Sequence, residues 1–142
     1  MNKPAFSTIA GAGLKAILVA VLVNLALFFL FSALGVLDPS VLLPQTNQPL
    51  TALPVALASF GPLVLGTLFF WLLTRFTRNA VLIFTGVAVV LGLLSLGGPL
   101  TMTTLPTSFR LALCVMHLVP VVSLIWFLRK AASAPTAEAS LR

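Results

Sequence analysis

The sequence predicts an all-α integral membrane protein: a bundle of four transmembrane helices with both termini in the cytoplasm. Three observations carry this. The 142 residues are 60% hydrophobic and 7% charged, where a soluble domain carries roughly 25% charged residues. A soluble fold of this size needs a polar exterior that such a composition does not supply, and lipid removes the need. The apolar residues also gather into four long runs separated by Pro-, Gly- and Thr-rich breaks. Lastly, the eight Lys and Arg fall almost entirely on one side of the resulting zigzag.

The first run, residues 16–37, follows Lys15 and is interrupted only by Asn24 and small residues. Its 22 residues at a rise of 1.5 Å reach about 33 Å, enough for a hydrocarbon core of about 30 Å. A cleaved signal peptide is the rival reading. Its apolar region should span only about 7–15 residues and end in a small-x-small site, so a retained helix is expected.

Residues 38–53 read as a loop, broken by Pro39, Pro44 and Pro49 and made polar by Gln45, Asn47 and Gln48. The second run is 54–74, with Pro54 suited to a first helical turn and Pro62 inside it as an expected kink. A tight basic turn, 75–79, leads to the third run, 80–96, which is ended by Gly97-Gly98-Pro99. A second loop, roughly 97–109, precedes the fourth run, 111–128, which holds His117 and a second expected kink at Pro120 and is closed by Arg129-Lys130. Residues 1–130 form a single membrane domain in this reading, and 131–142 a disordered cytoplasmic tail of small and polar residues.

Orientation follows from the positive-inside rule. With the N-terminus inside, the cytoplasmic side holds Lys3, Lys15, Arg75, Arg78, Arg129, Lys130 and Arg142, and the outer side holds Arg110 alone. Trp71 and Trp126 then fall near cytoplasmic helix ends, where indole prefers the headgroup level. The net charge of +6 lies on scattered single residues and pairs with no basic face. It therefore reads as topology signals and contacts to the lipid bilayer, and nucleic acid is not an expected partner.

Helix association in lipid relies on close packing and polar contacts, because lipid tails are as apolar as Leu. Small residues four apart mark contact faces: Ala16, Ala20 and Asn24; Ala58, Pro62 and Gly66; Ala88 and Gly92.

His117 is the sole histidine and lies inside an apolar run. Ionisable residues at such depth usually face the bundle interior. It reads either as a proton relay or ligand contact, or as a neutral imidazole bonded to another helix. The second reading is the more frequent. Asn24 and His117 are both expected to face inward as an intramembrane polar site, and a side-chain bond between them is possible if the first and fourth helices are neighbours. Pro120 cannot donate to the carbonyl of Met116. The acceptor this frees either positions the imidazole or simply reflects the shape of the helix.

No metal site is expected. One His with Cys114 nearby gives too few ligands. No cofactor is expected either, nor an enzyme. The four runs hold no Asp or Glu, and there is no Gly-x-Ser-x-Gly, no His-Glu-x-x-His and no phosphate loop. Asp38 and Arg110 are the two charges assigned to the outer side. They are a candidate ion pair, the alternative being that Asp38 organises its own Asp-Pro-Ser turn.

The chain resembles a family of small bacterial membrane proteins known as domain-of-unknown-function family 6069, over roughly residues 14–130. The resemblance rests on the Asn-bearing first helix with its small-residue ending (VLVNLALFFLFSALGV), on the outer loop, and on Met116-His117-Leu118-Val119. It implies a four-helix multi-pass protein of the bacterial cytoplasmic membrane, and supplies no catalytic residues. The function expected is that of a non-enzymatic bundle acting through a membrane-protein partner or as a homo-oligomer. The alternative is a small oligomeric transporter or channel using His117 on a polar path.

Overall fold

The computed structural model describes residues 4–133. The elements in order are α1 (Phe6–Ala33), a small hairpin of β1 (Leu42–Leu43) and β2 (Gln48–Pro49), then α2 (Ala52–Phe76), α3 (Ala80–Ser95), α4 (Gly97–Thr101) and α5 (Thr107–Ser133). Four stretches are helical, long and apolar enough to cross a membrane: Phe6–Ala33, Ala52–Phe76, Ala80–Thr101 and Thr107–Ser133. Each is apolar around its whole circumference, as helices are when no side of them must face water.

The four long helices stand where the apolar runs lie, with different ends. α1 begins at Phe6 rather than residue 16, so Lys15 is an exposed residue within the helix. Hydropathy places a boundary at the charge, but the backbone has no reason to stop there. Ile9, Ala12 and Gly13 already bury their side of the helix.

At the other end α1 stops at Ala33, not Leu37. Gly35 takes a left-handed φ of 70°. The Val36 N–H donates to Phe31 O at 2.8 Å and the Gly35 N–H to Ser32 O at 3.0 Å. This pair of bonds is the Schellman ending that glycine permits. The 38–53 loop contains the two-residue strands, with Leu42 opposite Pro49 and Leu43 opposite Gln48. After α3 the Gly-Gly-Pro break is itself a short helical turn, α4. α5 runs through Arg129 and Lys130 to Ser133. Residues 131–133 of the expected disordered tail are therefore helical, and the rest of that segment lies outside the described residues.

α1 packs against α2 and α5, and α5 also packs against α3. The buried residues of α1 are Ile9, Ala12, Gly13, Ala16, Ala20 and Asn24, a single stripe in steps of three and four. Its small side chains let the backbones approach closely. A Cβ built at Gly13 would lie 2.9 Å from Thr67 Cβ on α2. Ser123 Oγ on α5 donates to Ala16 O at 2.9 Å, which ties the two backbones together directly.

α3 meets α5 where a Cβ on Gly92 would lie 2.9 Å from Val121 Cγ2. Phe84 meets Phe70 of α2 edge to face, with centroids 5.0 Å apart. Phe6, at the start of α1, stacks edge-on against Trp71 near the end of α2 at 5.2 Å. The same indole lies under the Arg75 guanidinium at 5.6 Å.

Two apolar clusters result. One joins Ile9, Ala16, Ala20, Leu63, Phe70 and Leu128. The other joins Leu37, Val55, Leu105, Phe109, Ala112 and Met116. Along α1 and α2, Asn24 and Ser59 fall at the boundary between them.

Candidate functional site

The site begins with a proline. Pro120 lies within α5 and has no N–H to give to Met116 O, four residues back. α5 continues past it, as α2 continues past Pro62. The orphaned carbonyl finds its donor on another helix: Asn24 Nδ2 of α1 donates to Met116 O at 2.9 Å. Asn24 Nδ2 also donates to Ser59 Oγ of α2 at 2.8 Å, and Ser59 in turn donates to Val55 O at 2.9 Å.

Three helices are thus joined through one amide that is 3% exposed. The amide orientation is fixed by chemistry. A carbonyl only accepts, so the nitrogen must face Met116 O. Both protons on Nδ2 are then engaged, and Asn24 Oδ1 is buried without a partner.

His117 follows Met116 and does not take the freed carbonyl. Its Nδ1 lies 2.8 Å from Leu113 O, one turn back on its own helix. The carbonyl requires that Nδ1 carry the proton, so in the neutral ring Nε2 is an acceptor. Asn24 and His117 do not bond to each other, although α1 and α5 are neighbours. Asn24 is inward and buried, and His117 is half-buried.

Both residues border a cavity of about 540 Å³ between α2, α3 and α5, reached at one end by Leu43 and Leu50 beside the hairpin. Ala58, Pro62, Gly66, Ala88 and Gly92, the small residues expected to face protein, line it. On α2 the buried stripe is instead Val55, Ser59, Leu63 and Thr67, one residue further along. Sequence reasoning missed Ser59. Its signal was available: it is the one polar residue near the middle of the first half of an apolar run, three residues before a proline.

Asp38 and Arg110 do not pair. Asp38 Oδ1 accepts the Ser40 N–H at 2.8 Å, which is the Asp-Pro-Ser turn of the alternative reading. That bond holds the Asp38 carboxyl below its usual 3.8. Arg110 donates instead to Leu100 O and Thr107 Oγ1, both at 3.2 Å, and fastens α4 to the start of α5. A short carboxylate with a backbone donor two residues away satisfies itself locally, and the two terminal guanidinium nitrogens of the arginine also find local acceptors, while its Nε is buried without a partner. Among the described residues no group of three His, Cys, Asp or Glu side chains is placed to hold a metal. Cys114 is half-buried.

A family model for a family of unknown function, DUF6069, matches residues 4–134. The chain belongs to the DUF6069 family. The match covers α1 from its first turn to the end of α5, so the Asn24 amide, the Pro120 break and the cavity all lie within the DUF6069 region. No curated protein and no solved structure matches the chain.

Proposed function

We propose that this DUF6069 chain is a non-enzymatic four-helix bundle of the bacterial cytoplasmic membrane, with both termini inside, that acts by associating with a membrane-protein partner or with further copies of itself. The observation that carries this reading is the closure of the interior hydroxyls. Ser59 donates to Val55 O, Thr67 to Leu63 O at 2.7 Å, Thr74 to Trp71 O at 2.6 Å and Ser123 to Ala16 O. A nucleophilic hydroxyl gives its proton to a base, and these give theirs to backbone carbonyls. Such a bundle would meet a partner through its outer surface. The third span, Ala80–Thr101, is the least buried of the four, with 17% of its apolar window buried against 33% for Thr107–Ser133.

Seven of the eight basic residues on one side support the orientation. Arg78 and Arg129, exposed on that side, suit contact with anionic headgroups. Purification in mild detergent with mass determination, combined with flux into proteoliposomes, tests the reading. A heteromeric complex or a defined oligomer without flux is expected. Flux that His117→Ala abolishes would overturn it in favour of a transporter or channel.

A further inference from the structure

The cavity between α2, α3 and α5 falls within the roughly 300–1,000 Å³ typical of small-molecule sites, at about 540 Å³. Its wall is apolar apart from Asn24, Ser59, Ser95 and His117. Each donor on those four side chains is engaged. Ser95 Oγ donates to Gly92 O at 2.6 Å and Ser59 Oγ to Val55 O. Asn24 Nδ2 serves Ser59 and Met116 O, and His117 Nδ1 serves Leu113 O. What remains open to a ligand is one acceptor, His117 Nε2, for which no described residue supplies a donor; Asn24 Oδ1 also lacks a partner but is enclosed by protein. An acceptor in apolar surroundings is stabilised by a ligand that brings a donor, and leaving it unmade is unfavourable.

We infer that this cavity binds a lipophilic alcohol, its apolar body lying between α2 and α3 and its hydroxyl donating to His117 Nε2. A ligand with only acceptor groups, such as a ketone or ester without a hydroxyl, finds no donor here. A bare hydrocarbon leaves His117 Nε2 unmatched. An isoprenoid alcohol and a diacylglycerol share the required chemistry. The inference concerns the cavity alone and stands whether or not the bundle associates.

The test uses the full chain in lipid nanodiscs and four probes: tritiated farnesol, tritiated 1,2-dioctanoylglycerol, and the O-methyl ether of each, which keeps the body and removes the donor. Saturable binding is expected for farnesol or the glyceride, at least about tenfold tighter than for the matching ether, the value of one hydrogen bond of about 1.4 kcal/mol. The alcohol that shows the preference identifies the source, isoprenoid or glyceride. His117→Phe keeps the ring volume and removes the acceptor, so it should erase the preference while ether binding persists. Retained ether binding also shows that the variant is folded. Ala88→Phe, which fills the cavity, should abolish binding of the alcohol. Equal affinity for alcohol and ether with both probes would overturn the inference. So would a preference that His117→Phe leaves intact, or alcohol binding that survives Ala88→Phe.

Discussion

At the scale of single residues, Asn24 does the work that the sequence assigned jointly to Asn24 and His117. Its amide replaces the donor that Pro120 removed and closes three helices on one buried point. Side-chain bonds in membranes are worth about 0.6 kcal/mol on average and rarely above 1.7. Asn24→Ala removes two of them and leaves Met116 O unpaired, so a loss of about 1–2 kcal/mol in detergent is expected. In a Pro120→Ala background the new N–H reaches Met116 O within the helix. The same Asn24→Ala change should then be measurably milder. Equal losses in both backgrounds, measured by thermal unfolding, would mean that Asn24 and the proline break are not coupled.

Asp38 makes a second test at this scale. The ionised carboxylate accepts the Ser40 N–H, and its lowered value means that the bond is fully present above the unfolded carboxyl value of about 3.9 and lost as pH falls through the lower folded one. The Ser40 amide resonance should therefore titrate with a midpoint below 3.8. In Asp38→Ala the resonance should not titrate in that range, and the amide should exchange faster. Because Arg110 is held by Leu100 O and Thr107, the swap of Asp38→Arg with Arg110→Asp should give additive losses with no recovery.

Between elements, the close approaches decide the packing. Gly13 faces Thr67 so tightly that any side chain must push α1 from α2. Gly13→Leu should lower the melting temperature substantially, while Gly11→Leu, with open space at its Cβ, should not. Comparable losses would show that the two helices are not held at this glycine. Much of this scale was legible in the sequence. The four runs, the Ala16–Ala20–Asn24 stripe and the Asp-Pro-Ser turn can all be read there, because hydropathy, i+4 spacing and turn chemistry are local signals.

The ends of α1 were not read, since a hydropathy window registers Lys15 as a boundary and does not register a Gly35 ending five bonds away in the backbone ladder. The partner of Met116 O was half legible. The missing Pro120 donor is written in the sequence, but which helix fills the gap depends on how α1 lies against α5. Hydropathy and spacing along one chain do not carry that. The same holds for the cavity. Gly66 does take Leu124 of α5 against it, as its size allows, yet the register places Val55 and Ser59 at the contact and leaves Ala58 and Pro62 lining open space.

At the scale of the whole molecule, the charges and the helices describe one object. Phe6 against Trp71 brings the start of α1 beside the end of α2, which is the arrangement that an up-and-down passage through a bilayer requires. It places Arg75 and Arg78 on the same side as Lys15 by connectivity. The hairpin and the α4 corner then fall on the opposite side, where Arg110 is the lone basic residue. The association, the cavity and the lipid contacts all presuppose four spans with the termini inside, so the most direct test is a map of that topology. In a Cys114→Ser background, single cysteines are placed at exposed positions, Thr46→Cys in the hairpin, Thr104→Cys before α5, Asn79→Cys in the basic turn and Ser133→Cys at the end of α5. They are then treated in intact bacteria with a membrane-impermeant thiol reagent. Thr46→Cys and Thr104→Cys should label in intact cells, and Asn79→Cys and Ser133→Cys only after lysis. Labelling of Asn79→Cys or Ser133→Cys in intact cells would contradict the account.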